Sequence, residues 1–157
     1  MATLLIRRAE IGDASRVTRL HAASWAEVFD SSSPYPSYQI AEQKWHDVLR
    51  SGAIHVLLAE TETESCGFIA IDGIGEITDL FVSTARRRSG IAACLIEHLI
   101  EQLQPRTKLS LWVAETNHAA RRLYEQFDFE IAEDRKSDPR RIDGTDLIRM
   151  RRSAKMA

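Results

Sequence analysis

Between Glu76 and Gln104 the chain reads EITDLFVSTARRRSGIAACLIEHLIEQLQ, and few arrangements accommodate that order of residues. Glu76 to Val82 mixes Ile, Thr, Phe and Val, which favour extended backbone, and ends in Ser-Thr, so a short strand is predicted. Arg86, Arg87 and Arg88 follow, then the small-residue run Ser89, Gly90, Ile91 and Ala92. From there Ile91, Ala92, Leu95, Ile96, Leu99, Ile100 and Leu103 recur at helical spacing and leave Glu97, His98, Glu101, Gln102 and Gln104 as a polar stripe. That pattern predicts a helix with one broad buried face, ending at Pro105. Leu109 to Val113 then reads as a strand, and strand, helix, strand in succession implies a right-handed crossover between parallel neighbours.

A turn of this kind has a chemical use. The first turn of a helix leaves backbone N–H groups without intrahelical partners, and the aligned peptide dipoles add partial positive charge there. Gly90 and Ala92 let a large anion approach the backbone, and the arginines add formal charge for phosphate. A phosphorylated ligand suits this turn, as does a plain solvated basic helix start. It is not a P-loop, since no Gly-Lys-Ser/Thr occurs, and not the three-glycine dinucleotide fingerprint.

Elsewhere the pattern predicts a strand at Leu4–Arg7, a helix from Ala14 to Phe29 capped by Asp13, and a break at Ser31–Pro36. A second helix spans Tyr38 to Leu49 with Ile40, Trp45 and Leu49 inward. Ala53–Glu60 and Cys66–Asp72 form an antiparallel hairpin. Gly73-Ile74-Gly75 turns into the central strand. After Asn117 come a helix through Tyr124, a strand from Phe129 to Arg135, a solvated charged connection from Lys136 to Gly144, and a strand from Thr145 to Arg151. This order suits a mixed α/β sandwich.

With 157 residues, 44% hydrophobic, the chain suits one domain, placed at residues 1–151 with a short basic tail at 152–157. A net charge of -2 gives no global electrostatic case for nucleic acid or an anionic membrane. Met1 to Glu10 lack a signal-peptide pattern, and no apolar run nears the ~20 residues a membrane helix needs, so the cytoplasm is the expected location. Cys66 and Cys94 read as reduced thiols in or near the core. The five histidines show no metal-ligand spacing, and no metal is expected.

Arg87-x-x-Gly90-x-Ala92, after Leu80-Phe81-Val82 and before an apolar helix, resembles the acetyl-CoA signature of the GNAT N-acetyltransferase superfamily, Arg/Gln-x-x-Gly-x-Gly/Ala. Asn117-x-x-Ala120-x-x-Leu123-Tyr124-Glu125-x-Phe127-x-Phe129 is similar to that family's later motif, with Asp128 where Gly is common. Asp tolerates left-handed backbone better than most residues. The resemblance implies a single-domain GNAT-like fold: a mixed, mostly antiparallel sheet of six to seven strands flanked by about four helices. It also implies acetyl-CoA as co-substrate, with backbone amides of Arg88, Ser89, Gly90, Ile91, Ala92 and Ala93 on the pyrophosphate. Main-chain groups of Leu80, Phe81 and Val82 would line the pantetheine arm, where the family's parallel strands splay. Asn117, Ala120 and Tyr124 would face the cofactor from the later helix.

By the same resemblance the chain transfers acetyl to a primary amine by direct attack in a ternary complex, with Tyr124 as acid to the departing sulfur. An alkyl amine with pKa of about 10.4 is uncharged in roughly one molecule in a few thousand at neutral pH, so a base is needed. Glu76 is the candidate, with Asp79 next. The alternative is a non-catalytic CoA-sensing or protein-interaction module on the same fold; a nucleotide-binding kinase lacks its Lys and metal-binding carboxylates here. Small amines, amino acids, antibiotics and protein N-termini or lysines all stay open as acceptors, and the many acidic residues are compatible with a cationic one. The selecting residues are expected in the Ser31–Tyr38 loop, the second helix and the Lys136–Gly144 connection. Oligomeric state is left open, with homodimer pairing through the terminal strands as the reading.

Overall fold

Two long, largely apolar strands, β2 (Ile54–Glu60) and β3 (Ser65–Asp72), form the antiparallel hairpin around which the sheet assembles in the computed structural model, which describes residues 3–153. With β1 (Leu5–Arg8), β4 (Glu76–Val82), β5 (Leu109–Ala114), β6 (Phe129–Lys136) and β7 (Leu147–Arg152), the sheet has seven strands in the order β1-β2-β3-β4-β5-β7-β6. Every neighbouring pair is antiparallel except β4 and β5, which are parallel as the crossover requires.

Four helices cover this sheet: α1 (Ala14–Val28), α2 (Tyr38–Ser51), α3 (Ile91–Gln102) and α4 (His118–Gln126). On one face Val17 and Leu20 of α1 pack with Val56, Leu58, Phe68, Ala70 and Phe81. On the other, Leu95, Ile96 and Leu99 of α3 pack with Leu57, Ile69, Ile77, Leu111 and Met150. Burying each such α3 side chain stabilises the fold by roughly 1.5–3 kcal/mol. Covered on both faces, β2 and β3 read as apolar runs without polar alternation, and Val56 to Ala59 are all buried.

Several sequence expectations need correction. Ile40 is 55% exposed because the inward stripe of α2 runs instead through Ala41, Trp45 and Leu49. Asp13 precedes α1 but its side chain does not cap it. The carboxylate is bound by Arg7 Nη1 and Nη2 at 2.8 and 2.9 Å, and accepts from the Glu10 N–H at 2.8 Å. Arg152 belongs to β7 rather than to a tail, and its Nε donates to the Phe127 carbonyl at 2.9 Å. The rest of the expected tail, 154–157, lies outside the described residues. The Lys136–Gly144 connection is not simply solvated. Arg141 bridges to Phe29, Asp30 N–H donates to the Arg140 carbonyl at 2.9 Å, and the Arg140 guanidinium lies 4.5 Å from the Phe29 ring centre. Asp128 does take the left-handed backbone that Asp tolerates, at φ 68°.

The Asp13 cluster makes one prediction. Arg7 and desolvation act in opposite directions on the 4%-exposed Asp13 carboxyl, and Arg7 prevails, holding it at about 2. A depressed folded-state value means stability present above the ordinary carboxylate range and lost as pH falls from about 4 towards 2. Asp13→Asn is expected to cost roughly 2–3 kcal/mol at neutral pH, since Arg7 keeps only Glu60 as a carboxylate partner. Denaturant titrations at several pH values should show the difference from wild type shrinking below pH 4.

Candidate active site

The start of α3 is set by backbone conformation. Gly90 takes φ 84° immediately before the helix, and Arg88 is also left-handed at φ 62°. A side chain at Gly90 would meet nothing within 4 Å, so the positive φ and not crowding accounts for glycine here. The amides of Ile91, Ala92 and Ala93, in the first turn, open on a groove of about 320 Å³ walled by Val82, Arg86, Arg87, Arg88, Ala119, Ala120 and Leu123. The three arginines are not equivalent. Arg86 Nε donates to Glu64 at 2.8 Å, while Arg87 donates to Glu27 at 2.5 Å and to the Val82 carbonyl at 3.1 Å. Those two tie the end of β4 to its neighbours, and Arg88 has no carboxylate partner among the described residues. Ser89 donates its hydroxyl back to the Arg86 carbonyl, which tightens the turn.

Below the groove the sheet opens. β4 and β5 pair only at Glu76–Ser110 and Ile77–Leu111, so the β5-side edge of β4 from Thr78 to Val82 has no strand beside it. Periodicity carries no sign of this splay. A cavity of about 470 Å³ fills the gap, and Ala120 lines both it and the α3 groove. The pairing of β3 with β4 also shifts register at Ala70/Ile71, leaving Thr78 as an extra residue. Such a bulge exchanges faces along a strand. Ile77 therefore packs in the α3-side core although Phe81, four residues on, packs against α1, and Glu76 and Asp79 reach one face together.

Both carboxylates line the cavity, as do Leu80, Asn117 and Tyr124. Glu76 Oε1 lies 3.8 Å from Arg149 Nη2 of β7. Asp79 Oδ1 lies 3.4 Å from His21 Nε2, and His21 Nδ1 is 2.8 Å from the Tyr35 hydroxyl. Asn117 caps α4, its Oδ1 accepting from Ala120 N–H at 3.2 Å. That cap holds the helix on which Tyr124 is carried. Tyr124 is half-buried, with its ring centre 5.9 Å from that of Phe129, and burial pushes its phenol up to about 12. Phe81 instead buries its ring against α1, and its main chain pairs with Phe68 of β3.

His21, Trp25, Phe29, Trp112, Lys136 and Arg141 complete the wall. Nothing in the sequence alone singles out His21, Trp25 or Lys136 as members of one wall. The available signal was the i, i+4 spacing of His21 and Trp25 on α1 with Phe29 just past its end, but that spacing also describes an ordinary buried face. Their convergence with β5 and β6 is tertiary.

The model of the acetyltransferase (GNAT) domain matches residues 26–154. An uncharacterized N-acetyltransferase from Archaeoglobus fulgidus is 31% identical over 140 residues, 82% of this chain and 94% of that protein. Among solved structures, the ribosomal-protein-S18-alanine N-acetyltransferase of Escherichia coli superimposes with a TM-score of 0.74 at 23% identity, covering 99% of this chain and 96% of that one. An N-acetyltransferase from Staphylococcus aureus Mu50 reaches 0.81 at 18% identity, covering 98% and 99%. Those two likenesses speak for the fold, over nearly the whole length of each chain. Taken with the domain match over most of the sequence, they leave one assignment: the chain belongs to the GNAT family of acetyltransferases.

Proposed function

We propose that this acyltransferase moves an acetyl group from acetyl-CoA to a primary amine by direct attack, with both substrates bound at once. The observation that carries the reading is that Ala120 lines both an amide-rimmed groove and a cavity walled by Tyr124 and two carboxylates. The amides of Ile91 to Ala93, with Gly90 and Arg88 beside them, suit a pyrophosphate. The unpaired edge of β4 at Leu80 and Val82 offers main-chain donors and acceptors to an extended arm, as a neighbouring strand would. A backbone N–H of this edge, near Phe81 or Val82, is also placed to stabilise the oxyanion. Acetyl-CoA supplies an activated thioester; the protein supplies position, a proton acceptor and a donor to the sulfur.

Glu76 takes the amine proton, directly or through water. Tyr124 donates to the sulfur. Against a thiol of about 8.5, full transfer from a phenol at about 12 is uphill by roughly 5 kcal/mol, so the phenol acts as a hydrogen-bond donor while charge builds on sulfur. Calorimetry with acetyl-CoA, desulfo-CoA and ATP tests the reading, followed by an amine panel with thiol release as readout. Micromolar binding of acetyl-CoA without ATP binding is expected; no binding of acetyl-CoA refutes the proposal.

Glu76→Gln is expected to lower kcat/KM about 10²-fold near pH 7 with acetyl-CoA affinity unchanged. The deficit should narrow as pH approaches the amine pKa, because free amine then no longer needs a base. A larger loss in Asp79→Asn than in Glu76→Gln would transfer the proton-accepting role to the Asp79–His21 pair.

A further inference from the structure

We infer that the acceptor is an amino carboxylic acid, its carboxylate received by Lys136 while its amine lies at Glu76 and Asp79; this rests on the acetyl-transfer reading above. The cavity wall is charged at two separate places. Glu76 and Asp79 stand on β4 beside the splay, and Lys136 and Arg141 stand on the side built by the end of β6 and the connection after it.

The two cations differ. Arg141 is bound by Asp143 through Nε at 3.2 Å and Nη2 at 3.1 Å, so its charge is met within the protein. Lys136 holds its ammonium 4.3 Å from the centre of the Trp112 ring and has no carboxylate within ion-pairing distance among the described residues. An aromatic face fixes an ammonium without neutralising it, and leaves N–H donors for a further partner. The Arg149 guanidinium lies 5.3 Å from the same indole, but Glu76 and Asp134 engage it. Trp112 thus stands between a carboxylate-bearing end and an uncompensated cation.

An amine approaches mostly as the ammonium and is attracted to Glu76 and Asp79. What the molecule carries at its other end then decides the match. A second ammonium would face Lys136 and be repelled; a carboxylate would gain a charge-assisted hydrogen bond. The local arrangement therefore opposes the cationic acceptor that the abundance of acidic residues allows.

The test measures thiol release at saturating acetyl-CoA with amino acids whose amine is α, β or γ to the carboxylate. Each is run beside its carboxamide and the diamine of equal length, using wild type, Lys136→Met and Lys136→Arg. Wild type should favour an amino acid over its carboxamide by about 10- to 100-fold in kcat/KM. Lys136→Met should erase that preference through KM, Lys136→Arg should restore most of it, and calorimetry should find acetyl-CoA bound equally by all three. Equal rates on carboxamides, a preference for diamines, an unchanged preference in Lys136→Met, or silence across the panel despite bound acetyl-CoA overturns the inference and leaves the transfer reading standing. Failure of wild type to bind acetyl-CoA removes both.

Discussion

Gly90→Glu is expected to abolish acetyl-CoA binding, with calorimetric affinity falling by at least about 10²-fold. Two effects combine. The residue sits at φ 84°, a conformation that costs a side-chain-bearing residue roughly 1–2 kcal/mol. The carboxylate would also stand at the rim of the groove where the first amides of α3 face an anion, and like charges in such a site oppose each other. Gly90→Ala separates the two. Its methyl group meets nothing within 4 Å in the protein, so it carries the backbone strain without the charge. Alanine should lower the melting temperature by a few degrees, as glutamate does, yet bind acetyl-CoA within about tenfold of wild type. Tight binding by Gly90→Glu would move the phosphate site away from α3.

Tyr124→Phe should lower kcat by about 10²- to 10³-fold while leaving acetyl-CoA affinity near wild type. The hydroxyl makes no hydrogen bond to any described residue, so its removal breaks no bond within the fold, and a stability change within about 1 kcal/mol is expected at neutral pH. The donor is free for the ligand. The same residue marks an alkaline limit. Burial raises the phenol to about 12, above its ordinary value near 10, so the stability tied to the neutral phenol is intact below pH 10 and lost as pH rises through 12. That loss is roughly 2–3 kcal/mol, and Tyr124→Phe should lack it. Unchanged turnover in the variant would leave Tyr124 a packing residue and require another donor for the sulfur.

Much of the architecture was readable one segment at a time. The hairpin at Ile54–Asp72, the helix opened by Gly90 and the crossover into Leu109 all follow from apolar spacing and turn residues, which are properties of neighbours in the chain. Asp128 shows the same in miniature: one residue's tolerance of positive φ accounts for the turn it occupies. Where expectation failed, the deciding contact came from far along the sequence. Asp13 looked like a helix cap until Arg7 took its carboxylate, and the outward turn of Ile40 depends on which stripe of α2 meets the sheet.

The candidate site divides along that line. Sequence by itself determined the turn that opens α3 at Gly90, the helix that follows Asn117 and the position of Tyr124 on it, because each is a local matter of φ or helical phase. Only the tertiary structure decided that β4 parts from β5 after Ile77, and that a single extra residue at Thr78 carries Glu76 and Asp79 to one face. It alone brought Asp79 to His21, and Lys136 to Trp112. The reason is physical: side-chain periodicity reports which way a residue points from its own strand or helix, whereas the distance between two strands and the charge inside the gap are set by packing among segments remote in the chain.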